Sequence, residues 1–360
     1  SEAGDLITGF GGNDFEYGQT GNDRLDGGDG SDYLVGEGGD DTISGGTGID
    51  HLVGGIGIDH LYGGAGSDYI EGGAGADVMD GGDLVQNYIS YRDGPTAVTV
   101  NLATHTASGG DATGDSFVNI QNIDGSAYND RLTGDGATNS LYGKAGTDVL
   151  SGGAGYDYLY GQDGNDVMLG GPGSTYLGDT FDGGNGSDFV SYADSIVGVT
   201  VNLATGTGSG GDAAHDTYSS VENASGSAGN DTLIGTGGAN RLDGLGGKDI
   251  LTGGGGADRF AFSSITHTTL SQADTITDFS QAQGDKIILS VIDANTSAAA
   301  DQAFTFIGSA SYSHHAGELQ YADHGGGHLT IAGDVNGDGA SDFHIELYGA
   351  SHLSVSDFVL

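Results

Sequence analysis

The chain has no cysteine, no tryptophan, two prolines and only eight Lys plus Arg among 360 residues. Without cysteine there are no disulfides, thiolate metal sites or cysteine nucleophiles. Against those few cations stand 51 acids, for a formal charge of −43, which excludes a nucleic-acid backbone or an anionic membrane surface as partner. Two prolines and no Gly-X-Y period exclude collagen. No apolar run reaches the ~18 residues of a membrane span. A basic-plus-apolar leader is also missing, and the chain starts at Ser1 rather than Met, as a fragment or processed form would. Glutamate is scarce too, with seven residues (2, 16, 37, 71, 222, 318 and 346), so the acidity is almost all aspartate.

What the chain does have is glycine, 74 residues of it, in a strict period. Such composition alone suggests disorder; the repeat overturns that. From Gly9, units of nine start at Gly18, Gly27, Gly36, Gly45, Gly54, Gly63 and Gly72. The sixth place is Asp14, Asp23, Asp32, Asp41, Asp50, Asp59, Asp68 and Asp77, with Asp5 one unit upstream. The eighth place is Leu25, Leu34, Ile43, Leu52, Leu61, Ile70 and Met79, Glu16 being the departure. A second array, Gly125 to Gly178, carries Asp130, Asn139, Asp148, Asp157, Asp166 and Thr175, with a separate unit at Gly183 carrying Asp188. A third, from Gly226, carries Asp231, Asn240, Asp249 and Asp258.

Clustered glycines permit tight turns with carbonyl oxygens pointing inward, and each aspartate adds a hard charged oxygen. Ca²⁺ takes six to eight oxygens, more than one turn offers. The x-U-x triplet reads as a short strand with one apolar side chain inward and two outward. The pattern G-G-x-G-x-D-x-U-x resembles the RTX calcium-binding proteins. That resemblance implies an all-β fold: parallel β-roll arrays, two units per coil, with loops 18 residues apart stacking and sharing an ion. Asp14 should then neighbour Asp32, and Asp23 should neighbour Asp41. The uncharged Asn139, Asn240 and Thr175 should give weak or empty sites.

A longer repeat relates Tyr91–Asn139 to Tyr192–Asn240 at an offset of 101, with Val-Thr-Val-Asn-Leu-Ala-Thr at 98–104 and 199–205. Each copy reads as a strand, a Gly-Asp turn and a second strand. Asp111 with Asp115, and Asp212 with Asp216, either complete further calcium sites or form solvated turns. The expected divisions are a first roll (1–83), an insertion (84–124), a second roll (125–191), its repeated insertion (192–225), a third roll (226–258) and a capping domain (259–360).

After Arg259 alternating segments such as Phe304-Thr-Phe-Ile and Phe343-His-Ile-Glu-Leu predict an antiparallel β cap. Gly256-Ala-Asp-Arg-Phe, Asp274-Thr-Ile-Thr-Asp-Phe, Gly333-Asp-Val-Asn-Gly-Asp-Gly and Asp357-Phe-Val-Leu360 resemble the C-terminal domain of serralysin-type secreted proteins, over roughly residues 250–360. The resemblance implies type I secretion through an uncleaved C-terminal signal, and an extracellular or cell-surface location. Asp334, Asn336, Asp338 and Asp342 form an oxygen-rich loop that matches the first half of an EF-hand, but Ile345 stands at the twelfth place. It reads as a calcium loop in a β context, or an Asp-rich turn.

No His-Glu-x-x-His and no Gly-x-Ser-x-Gly occurs, and His314-His315 has no glutamate at helical spacing. The expectation is therefore a non-enzymatic calcium-binding protein with a structural or adhesive role. The alternative is the secretion and folding module of an enzyme (metalloprotease, lipase or polysaccharide-modifying) whose catalytic domain lies elsewhere. Outward residues recur every 18 on each sheet of a roll. One sheet should thus show Phe15, Tyr33, His51 and Tyr69, then Tyr142, Tyr158, Tyr160 and Tyr176, an aromatic strip either covered within the chain by the neighbouring array or the 84–124 segment, or open to self-association or to contact with an upstream domain, a surface or a glycan.

Overall fold

A computed structural model describes residues 4–83, 86–173, 177–296 and 301–360, so Thr175 and Tyr176 lie outside the described residues. These residues contain many short strands, three 3₁₀ turns and no α-helix; no helix among them is long and apolar enough to cross a membrane. The chain divides into two compact units, residues 1–170 with 179–188, and residues 171–178 with 189–360.

In the first unit successive strands alternate between two sheets, and each pairs in parallel with the strand one coil away. On one sheet Arg24–Asp29, Thr42–Thr47 and His60–Ala65 stack with Leu25 opposite Ile43 and Ile43 opposite Leu61. On the other, Phe15–Thr20, Tyr33–Gly38, His51–Ile56 and Tyr69–Ala74 stack with Leu34 opposite Leu52 and Leu52 opposite Ile70. The eighth-place residues Leu25 through Met79 are fully buried between the sheets, as alternation on a pleated strand requires. Glu16, at the same inward position, is buried as well.

The inner strands of the first array, Phe15–Thr20 through Tyr69–Ala74, are six residues long, not three, while the end strands Leu6–Thr8 and Val78–Asp80 keep three. Pairing continues past the x-U-x triplet through the next two glycines, as in Gly28 opposite Gly46. The third place pairs as well, as in Asp29 opposite Thr47, so only the fourth to sixth places remain for the loop.

The 84–124 segment adds coils to the same stack. Tyr88–Ser90 pairs with Tyr69–Ala74 on one side and Asn122–Asp124 on the other, and Ser116–Val118 pairs with Val78–Asp80. Its excursion is a hairpin, Thr99–Asn101 with Thr106–Ser108, and a 3₁₀ turn at Gly110–Ala112. In the second unit Thr200–Asn202, Thr207–Ser209 and Gly211–Ala213 repeat that excursion at the 101-residue offset.

The second unit is also a parallel stack for most of its length. Phe260 and Ile287 belong to parallel rungs, Arg259–Ala261 and Lys286–Ile288, and Phe358–Val359 adds the next. The antiparallel cap thus begins later than the loss of the nine-residue beat suggests. It is the meander Glu318–Gly325, His328–Asp334 and Phe343–Tyr348, joined to the roll where Phe343–Tyr348 lies parallel to Asp274–Ile276.

Candidate calcium-binding stacks

Each sixth-place aspartate ends its loop, and the 18-residue coil sets it beside the aspartate of the next loop on the same edge. The N–H of Asp5 donates to Asp23 Oδ1 at 2.6 Å, that of Asp23 to Asp41 at 2.7 Å, Asp41 to Asp59 at 2.7 Å and Asp59 to Asp77 at 2.9 Å. On the opposite edge the N–H of Asp14 donates to Asp32 at 2.8 Å, and Asp32 to Asp50 and Asp50 to Asp68 at 2.9 Å each. The expected neighbours Asp14–Asp32 and Asp23–Asp41 are therefore adjacent. In the second array Asp130, Asp148, Asp166 and Asp188 form one stack, and Asn139 donates to Asp157. In the second unit Asp231 donates to Asp249 and Asn240 to Asp258.

One carboxylate oxygen is thus used by the protein itself. The other is not: among the described residues, no donor reaches Oδ2 of Asp14, Asp23, Asp32, Asp41, Asp50, Asp59, Asp68 or Asp77. The same holds for Asp148, Asp157, Asp166, Asp249 and Asp258. Most of these side chains are fully buried, and a buried anionic oxygen with no donor is costly. Most of these orphan oxygens face more oxygen. A methyl group placed on Gly54 would collide both with Asp59 Oδ2 and with the carbonyl of Gly72 one coil on, and Gly18, Gly27, Gly36 and Gly45 sit in the same cradle.

Burial, ahead of neighbouring charge, pushes these carboxyls up: Asp50 and Asp77 to about 6, Asp59, Asp148 and Asp157 to about 7. Donor-free carboxylate and carbonyl oxygens repeated along both edges fit a hard cation that tolerates irregular oxygen geometry. Among the described residues no three His, Asp or Glu side chains converge as a metal cluster. The cradle is instead one carboxylate per loop plus main-chain oxygen.

Asp115 takes the next place in the stack, accepting the N–H of Asp77 at 2.9 Å. Asp179, Asp274 and Asp285 are stack members that the nine-residue frame misses. They accept from Asp157, Asp249 and Asp258 across 22, 25 and 27 residues. The signal for Asp179 was present as Asp179-x-Phe181, a D-x-U shifted by the longer unit that starts at Gly170.

The 334–342 loop is closed on itself. Asp334 accepts the N–H groups of Gly337 and Gly339, Asp342 accepts that of Val335 at 2.7 Å, and Asn336 and Asp338 accept from Asp338 and Ala340.

Stacked loops of this kind on a parallel roll define a calcium-binding RTX protein of the secreted type. The model for the RTX calcium-binding nonapeptide repeat (4 copies) matches residues 17–52, 53–83, 120–150 and 142–177. That for the peptidase M10 serralysin C terminal matches residues 179–360, starting well before the resemblance read at 250. The chain belongs to this serralysin C-terminal family, and calcium is its cofactor through the RTX repeats. No curated protein matches the chain at a significant level.

Proposed function

We propose that this is an extracellular RTX scaffold that folds on calcium after type I export and serves a structural or adhesive role. Calcium, when bound, supplies the positive charge that the buried oxygens lack. The ligands in this reading are the Oδ2 atoms of the donor-free aspartates and the first-place glycine carbonyls, with Asp5 and Asp188 at the stack ends. The loop of Asp334, Asn336, Asp338 and Asp342 is a separate candidate.

The observation that carries the adhesive reading is an aromatic ladder on one sheet of the first unit. Ring centroids step from Phe15 to Tyr33 at 5.8 Å, to His51 at 4.8 Å, to Tyr69 at 5.1 Å and to Tyr88 at 5.7 Å. The ladder continues from Tyr88 to Tyr142 at 6.4 Å and from Tyr142 to Tyr160 at 4.7 Å. Phe15 and Tyr17 are exposed by 75% and 48%. Rings with polar tips suit a partly wet interface with a second copy of the chain. The 84–124 segment lengthens the strip with Tyr88 and sets the Arg92 guanidinium over the Tyr69 ring.

Sedimentation velocity in calcium tests this: the wild type should assemble with concentration, and Phe15→Ser with Tyr33→Ser should weaken assembly while leaving calcium-dependent folding intact. A wild type that stays monomeric throughout would favour the second reading, a secretion and folding module for an enzyme. The serralysin C-terminal match over residues 179–360 supports that reading.

A further inference from the structure

Not every place in the stacks presents a bare oxygen, and the exceptions gather at the 101-residue repeat. Asn87 stands where the rung after Asp68 calls for an aspartate. Its Oδ1 accepts the Asp68 N–H at 2.9 Å, as a stack aspartate would. Its Nδ2 donates to the carbonyls of Gly81 at 3.0 Å, Asp83 at 2.8 Å and Asn119 at 3.1 Å. Three carbonyl acceptors fix the amide this way round, since the flipped form would set oxygen against oxygen. Gly81 repeats the cradle: a methyl group there would collide with Asn119 O and Asn87 Nδ2. The NH₂ group therefore lies where the donor-free Oδ2 lies elsewhere.

A few rungs on, Asp130 keeps its charge but is sealed by the protein. Ser126 donates its N–H to Oδ2 at 2.5 Å and its hydroxyl to Oδ1 at 2.8 Å, and the Val98 N–H donates to Oδ1 at 2.7 Å. Asp115 is closed by the buried Tyr91 hydroxyl at 3.0 Å. Asn139 accepts from Asp135 and donates to Gln121 O.

The second unit repeats the serine, tyrosine and Asn139-type closures, whereas the counterpart of Asn87 at the 101-residue offset is Asp188. Ser227 seals Asp231 with N–H at 2.7 Å and hydroxyl at 2.8 Å, Val199 adds its N–H, Tyr192 donates to Asp216 at 2.5 Å, and Asn240 donates to Glu222 O.

We infer that calcium enters this protein in blocks, and that at the two joints the place of the cation is taken by the chain's own amide, hydroxyl and main-chain N–H donors. Asp130 and Asp231 fit the repeat pattern yet hold no ion, because their oxygens already have donors of the required polarity. The joints carry a hairpin excursion, and a rung closed by hydrogen bonds needs no ion of its own. The inference rests on the calcium reading of the other aspartates.

The test counts calcium bound per full-length chain by equilibrium dialysis at saturation, for the wild type and four variants. Asp50→Asn should bind fewer ions than the wild type. Asp130→Asn and Asp231→Asn should bind as many as the wild type, with an unchanged calcium midpoint for folding. Asn87→Asp should bind an additional ion, its new carboxylate facing three carbonyls, and this variant decides the matter if Asp130→Asn does not fold. A drop in ion count for Asp130→Asn or Asp231→Asn matching that of Asp50→Asn, or a wild-type count for Asn87→Asp, overturns the inference. If Asp50→Asn leaves the count unchanged, the calcium reading of the stack fails instead.

Discussion

The main-chain N–H of Asp50 donates to Oδ1 of Asp68, eighteen residues on, at 2.9 Å. One carboxylate therefore fixes the neighbouring coil with one oxygen and turns the other toward its own loop. Losing a stack aspartate removes a candidate ligand and a hydrogen bond between coils together.

Calcium should fold this protein. Seventeen aspartates at the sixth place repel one another, and the glycine-rich backbone has much entropy to lose. An ion held at 100 times its dissociation constant adds about 2.7 kcal/mol, so several ions outweigh any one core contact. Far-ultraviolet circular dichroism should show little β signal in chelator and a strong one in millimolar calcium. Equal spectra in both would refute this.

Position along the stack should matter. Asp50→Ala removes a candidate ligand and the acceptor of the Asp32 N–H from the middle of the array, whereas Asp14→Ala acts near one end. In a nearest-neighbour solenoid the central loss propagates further, so the calcium midpoint of folding should rise more for Asp50→Ala. The two titrations side by side decide it; a terminal variant equally damaged rules the stacking model out.

Protons should compete with calcium. Burial raises Asp50 and Asp77 to about 6 and Asp59 and Asp148 to about 7, above an unfolded value of 3.8. The ion-free fold then binds more protons than the unfolded chain between those limits, so acid stabilises it and rising pH through 6 to 7 removes that stability. Calcium needs the ionised form. Lowering pH from 7.5 to 5.5 should raise the calcium midpoint and make binding release protons, measurable by calorimetry in buffers of different ionisation enthalpy. A midpoint independent of pH would contradict the burial of these groups.

The final parallel rung should carry stability of its own. Phe358 is buried and pairs with Ile287, so Phe358→Ala should cost about 3–5 kcal/mol, as for other buried phenylalanines. Thermal melts in saturating calcium would show it. Deleting residues 334–360 should also abolish export by the native host, and normal secretion of that shortened chain would argue against a C-terminal signal.

Periodicity exposed the nine-residue unit and its inward eighth place, because each unit repeats one local geometry, and the RTX resemblance implied the roll and its 18-residue coil. It did not expose Asp179, Asp274 or Asp285. Those coils carry extra residues, which lengthen the chain between rungs without moving the rungs. Nor could spacing separate Asp130 from Asp148. Both stand at the sixth place of a nine-residue unit, and only the fold brings Ser126 and Val98 against the first and leaves Oδ2 of the second bare. The strand length was misjudged for a related reason: glycine reads as turn, yet Gly28 and Gly46 pair within a sheet.

The stacked aspartates also make the chain a linear polyelectrolyte. Parallel strands lie about 4.8 Å apart, so each edge of the first array carries a row of carboxylates at that interval. A charge line this dense resists being closed by one ion at a time, since the first ion must bind while the neighbouring coils still repel. Each later ion meets a row already partly neutralised and straightened. The first array should thus answer calcium with a threshold, staying open over a wide range of low concentrations and closing over a narrow one.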